Sequence, residues 1–131
     1  MKEKRKVITS KAPVPVGPYS QAIKAGDFIF CAGQIALDPE TGELVNTNIE
    51  TETARAIENL KEVLEAAGSS LDRVVKTTIF MINIRDFERM NTVYSSYFSG
   101  AAPPARSTVQ VDALPKGAGI EIECIALAPN T

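Results

Sequence analysis

Arg106 opens a β-favouring run directly behind Pro103, Pro104 and Ala105. The strand period of two puts Arg106, Thr108 and Gln110 on one face and Ser107, Val109 and Val111 on the other. A guanidinium held behind a proline pair can grip a carboxylate through two parallel charge-assisted hydrogen bonds, although a strand-end arginine also suits a surface ion pair. Glu121 and Glu123 share a face of the last apolar run, among Ile120, Ile122, Cys124 and Ile125. A carboxylate in such surroundings either lies at an exposed edge or is held to handle protons. A terminal hairpin pairing Thr108 near Glu121, a register the sequence leaves open, would line one pocket with Arg106, Thr108 and Glu121.

Two further positions have a chemical and a plain structural meaning. Tyr19, in the turn-prone Gly17-Pro18-Tyr19-Ser20-Gln21-Ala22, is a pocket wall or a partly buried core residue. Gly33, in Cys31-Ala32-Gly33-Gln34-Ile35, lets a ligand approach the backbone or marks a bulge. Phe87, Met90, Tyr94 and Tyr97 recur at spacings of three and four and read as a core stripe.

Composition narrows the chemistry. The chain has no histidine, which excludes Ser-His and Cys-His nucleophile pairs, the usual zinc sites and a histidine-based ribonuclease centre. Cys31 and Cys124 are too few and too far apart for a disulfide framework and read as two buried reduced thiols. No metal is expected. The net charge is −2 and the only basic cluster, Lys2, Lys4, Arg5 and Lys6, reads as a solvated terminus rather than a nucleic-acid face. No apolar stretch suits a signal peptide or a membrane span, so a cytoplasmic protein is expected.

The 131 residues fit a single domain, 1–131. Short strand signals fall at residues 7–9, 20–24 and 28–32, the last two joined by a turn at Ala25-Gly26-Asp27. A helix follows over about 49–67, with Ala56, Leu60, Val63 and Ala67 as its apolar stripe, capping-box spacing at Thr47 and Glu50, and Gly68 as its stop. Residues 74–82 form the strongest strand signal, expected at the centre of the sheet. A second helix fits 86–98, and strands at 105–111 and 120–127, linked by the turn-rich 114–119, suggest an antiparallel hairpin. The fold class is α+β, a mixed β-sheet with two helices packed on one face, in the order β-β-β-α-β-α-β-β. Its other face would be bare and apolar, and self-association is the simplest cover.

Six strings in order, GPYSQA at 17–22, CAGQI at 31–35, VVKTTIFM at 74–81, MN at 90–91, PARSTVQV at 104–111 and IEIECIA at 120–126, closely resemble the Rid (reactive intermediate deaminase) family, RidA type, also labelled endoribonuclease L-PSP. The resemblance spans essentially the whole chain. It implies a chorismate-mutase-like fold, a homotrimer with sites between subunits, and hydrolytic deamination of 2-iminobutanoate and 2-iminopropanoate to 2-oxo acids without a cofactor. By that resemblance Arg106 binds the substrate carboxylate and Glu121 orients the attacking water. Tyr19, the backbone of Gly33 and Thr108 complete the pocket, while Asn91 is structural. Thr108 and Ala32 stand where many members carry cysteine and serine, which bears on substrate preference.

Two rival functions remain open. The first is an endoribonuclease or translation inhibitor, disfavoured by the acidic balance and by the lack of tryptophan and histidine. The second is a non-catalytic trimer that binds small carboxylates for regulation.

Overall fold

The computed structural model describes residues 3–129. In chain order the elements are β1 (Lys4–Val7), β2 (Ala22–Ala25), β3 (Phe28–Gln34), α1 (Ile49–Ala66), β4 (Val74–Met81), α2 (Phe87–Tyr97), β5 (Ala105–Gln110) and β6 (Ile120–Leu127). This is the expected succession. One six-stranded sheet runs β1-β2-β3-β6-β4-β5, with β4 and β5 parallel and all other neighbours antiparallel.

α1 forms because its apolar residues recur at the helical period. Ala56, Ile57, Leu60, Val63 and Leu64 are fully buried against the sheet, each large side chain contributing roughly 2 kcal/mol on leaving water. Its N-cap differs from the expected Thr47–Glu50 box. Asn48 caps it, with Oδ1 accepting from the Thr51 N–H at 2.8 Å. Glu50 instead pairs with Arg89 of α2 at 2.7 Å, which ties the two helices together on the solvent side. Gly68, at φ +83°, carries the chain out of the helix in a conformation that disfavours any other residue.

The strands have one face under the helices and one bare. Ile29, Cys31, Thr77, Ile79, Met81, Ile120, Ile122, Cys124 and Ala126 are buried on the helix side. On the other side Phe30 and Val109 are 46% and 43% exposed, and Phe28 and Leu127 are exposed beside them. The bare face thus carries apolar surface in two patches, Phe28, Phe30 and Leu127 at one end and Val109 at the other, with Lys76, Thr78, Ser107 and Glu123 between them.

Four expectations need correction. The first strand is Lys4–Val7 rather than 7–9, so Lys4, Arg5 and Lys6 belong to an edge strand paired with β2; Lys2 lies outside the described residues. β4 is not central, because β3 and β6 hold the middle and β4 is second from the edge. β5 and β6 form no hairpin. The α2 crossover returns β5 parallel to β4, and β6 then inserts on the other side of β4. The register of Thr108 near Glu121 therefore fails: Thr108 faces Ile79 and Glu121 faces Phe80.

Candidate functional site

Between β3 and β6 the register slips. Cys31 faces Cys124 but Gln34 faces Ile122, so Ala32 and Gly33 together oppose the single residue Glu123. This bulge bends β3 and brings the Gly33 backbone under the Glu121 side chain. A Cβ on Gly33 would stand 2.7 Å from Glu121 Oε2 and 2.8 Å from its Cδ, so any side chain here would displace the Glu121 carboxylate. Of the two meanings considered for Gly33, the bulge is present.

Glu121, Gly33 and Tyr19 line one cleft of about 350 Å³, together with residues 13–16, Ala32 and the turn bearing Pro115 and Lys116. Burial, and then the nearby Glu123 charge, raise the Glu121 pKa above the usual carboxylate range. Tyr19 is half exposed rather than a core residue, and its hydroxyl accepts from the Val16 N–H at 3.2 Å, which fixes the ring on the loop.

Gln21 organises that loop and was not singled out from sequence. Its buried side chain accepts from the Thr9 N–H at 2.8 Å and donates to the Thr9 and Pro13 carbonyls, both at 3.0 Å. The only available signal was its place in the GPYSQA string. Lys116, also missed, carries the cleft's cationic rim and has φ 58°, the one positive φ outside glycine among the described residues.

Arg106 and Thr108 do not join this cleft. On β5 they face Thr77 and Ile79, which are fully buried, so they point to the helix side while Glu121 points to the bare side. The guanidinium carbon of Arg106 lies 4.8 Å from the Tyr94 ring centroid and 5.4 Å from that of Phe87. The Tyr94 hydroxyl is fixed by a 2.8 Å hydrogen bond with Thr77, and burial raises its pKa. Phe87 and Tyr94, read from sequence as core stripe, thus also cradle the arginine. Among the described residues Arg106 has no ion-pair partner.

Two buried polar atoms near this half lack partners, Thr108 Oγ1 and Asn91 Oδ1. Asn91 lies between Phe87 and Tyr94 on α2 at helical spacing. One half of the chemistry, a free guanidinium on aromatic rings, is suited to a carboxylate. The other, a carboxylate with raised proton affinity in a cleft, is suited to water. The chain presents them on opposite faces.

The family model described as Endoribonuclease L-PSP matches residues 9–128. A RutC family protein of Pyrococcus abyssi is 56% identical over 94% of this chain and 96% of its own length. A mouse (Mus musculus) protein named 2-iminobutanoate/2-iminopropanoate deaminase is 47% identical over 94% of this chain and 91% of its own. A crystal structure of a conserved Rid family protein from Yersinia pestis superposes with a TM-score of 0.94 at 47% identity, covering 96% of this chain and all of that one.

Proposed function

This chain belongs to the Endoribonuclease L-PSP family, which takes in the Rid proteins, and from that premise we propose that it hydrolyses 2-iminobutanoate and 2-iminopropanoate to 2-oxo acids and ammonia. Membership supports a small-molecule substrate. The observation that carries the reading is the coexistence of an unneutralised guanidinium and a carboxylate of raised pKa in a chain without histidine.

In this mechanism Arg106 binds the substrate carboxylate, and Glu121 accepts a proton from water as its oxygen bonds to the imine carbon. Glu121 returns that proton to the nitrogen of the resulting amino alcohol, the C–N bond breaks as the hydroxyl gives up its proton to form the C=O bond, and ammonia leaves with a 2-oxo acid behind. A protonated imine carbon is already electrophilic, so orientation plus one acid/base group is enough, the latter worth about 10² to 10⁴ in rate. Tyr19, the Gly33 backbone and Thr108 close the pocket around the substrate.

Because Arg106 and Glu121 face opposite ways, the reading places them in one site only between neighbouring copies, in a homotrimer. The exposed Phe28, Phe30, Val109 and Leu127 supply apolar patches of the kind such an assembly covers. Among the described residues no helix is long and apolar enough to cross a membrane, and a cytoplasmic place of action is proposed with the activity.

The test generates 2-iminobutanoate from threonine with a dehydratase, in the presence of a competing imine trap, and follows 2-oxobutanoate. Faster release with the protein, reduced at least about 10²-fold by Arg106→Ala, supports the assignment. Binding of 2-oxobutanoate without turnover would support a carboxylate-binding module instead, and cleavage of RNA without imine turnover the endoribonuclease.

A further inference from the structure

Cys31 and Cys124 are direct partners on the antiparallel strands β3 and β6, both buried on the helix side and both free thiols. The catalytic reading uses neither. We propose that these two thiols are a covalent modification site. They close into a cross-strand disulfide by exchange with a small disulfide and so clamp the strands that carry Gly33 and Glu121.

The register sets the two residues within reach of a disulfide. Directly opposed residues in an antiparallel pair have Cα atoms about 4.5 or 5.5 Å apart, inside the roughly 4.4–6.8 Å that a disulfide spans. The period of two turns both side chains to the same face, so closure needs only a small approach of the two strands. The neighbouring Cys31 thiol, together with burial, holds the Cys124 thiol well above its usual pKa.

The pair also occupies a particular place in the fold. It is the last regular pair before the bulge in which Ala32 and Gly33 oppose Glu123, so a bond there would pin the base of the cleft. Along the same row of the sheet Cys124 faces Thr77, and Thr77 faces Arg106. Both halves of the proposed site are thus anchored to one cross-sheet line.

Burial disfavours the thiolate, the form that attacks a disulfide, so closure proceeds during folding or transient opening of β3 from β6. One cysteine thiolate attacks a sulfur of the small disulfide and expels one small thiolate, giving a mixed disulfide. The second cysteine thiolate attacks the first cysteine's sulfur and expels the other. Two protons leave the protein, two electrons pass to the small disulfide, and two small thiols are formed. In a reducing cytoplasm the dithiol persists, and the bond closes when small disulfides accumulate.

The experiment refolds the full chain in reduced or in oxidised glutathione and reads intact mass, thiol count after denaturation, and Tm. Oxidised glutathione is expected to give a single chain lighter by two hydrogens, without titratable thiol, whose Tm is higher by roughly 10 °C because a long loop is closed. Dithiothreitol should return it to the reduced value. Cys31→Ala and Cys124→Ala, which keep the sites apolar, should each abolish the redox-dependent shift while remaining folded. Two free thiols after oxidative refolding, a stable glutathione adduct, an intermolecular dimer, or a lower Tm on closure would each overturn the proposal. None of these readouts involves imine turnover, so the outcome is independent of the catalytic assignment.

Discussion

Arg106 and Glu121 lie on opposite faces of one sheet, the arginine beside Thr77 on the helix-covered side of β5 and the glutamate beside Phe80 on the bare side of β6. A single copy cannot wrap both around one small substrate. Everything proposed about catalysis follows from how the two halves are completed.

The guanidinium is expected to act through its fork as well as its charge. Arg106→Lys keeps the cation but loses bidentate geometry and stacking on Tyr94 and Phe87, so kcat/KM for 2-iminobutanoate should fall by about 10- to 10²-fold with unchanged circular dichroism. Full activity in the lysine variant would reduce Arg106 to a general electrostatic role.

Gly33 offers a test that separates activity from stability. In Gly33→Ala the new methyl meets the end of the Glu121 side chain, which can swing away at little cost to the fold. Tm should change by only a few degrees, whereas turnover should fall on the order of 10²-fold because the base is displaced. An alanine variant with native turnover would show that the Glu121 position is not used.

The pH profile follows from the raised Glu121 pKa, whose causes are burial first and Glu123 second. As a base Glu121 must be ionised, so kcat/KM falls as pH drops through a value above the usual glutamate range. Glu123→Gln removes the like charge and should move that acid limb to lower pH. An acid limb that stays in place would mean another group controls it.

Glu52 provides a stability counterpart. Burial raises its pKa although it accepts from the Gly119 N–H at 3.0 Å. A carboxylate whose folded pKa exceeds its unfolded one adds stability below the unfolded value, and that contribution is lost as pH rises through the folded value. Glu52→Gln keeps an acceptor for Gly119 without the charge, so its Tm relative to the parent should be higher at pH 7 than at pH 4. A Tm difference independent of pH would contradict this.

Much of the fold was legible from local pattern, and the failures came where pairing is non-local. The α1 stripe at Ala56, Leu60 and Val63 could be read because a helix depends on its own period. The turn-rich 114–119 looked like a hairpin turn because nothing local says that α2 returns β5 parallel to β4 and leaves room for β6 beyond it. The period of two correctly grouped Arg106 with Thr108, and Glu121 with Glu123. It could not say which face each group takes, since that depends on partners such as Thr77 and Phe80. Phe87 and Tyr94 read as core for a similar reason: spacing reveals a buried stripe but not that an arginine rests on it. Gly33 was recognisable as special, while its contact with the Glu121 carboxylate depends on the bulge between Cys31 and Gln34.

The shared site can be tested most directly by mixing two inactive proteins. Arg106→Ala and Glu121→Ala chains, denatured separately, combined in equal amounts and refolded, should recover about a quarter of wild-type imine hydrolysis, because each mixed cyclic trimer contains one site with both residues intact. Each variant refolded alone should stay inactive. A mixture as inactive as its components, with mixed trimers verified by mass, would contradict a site built from Arg106 of one copy and Glu121 of the next.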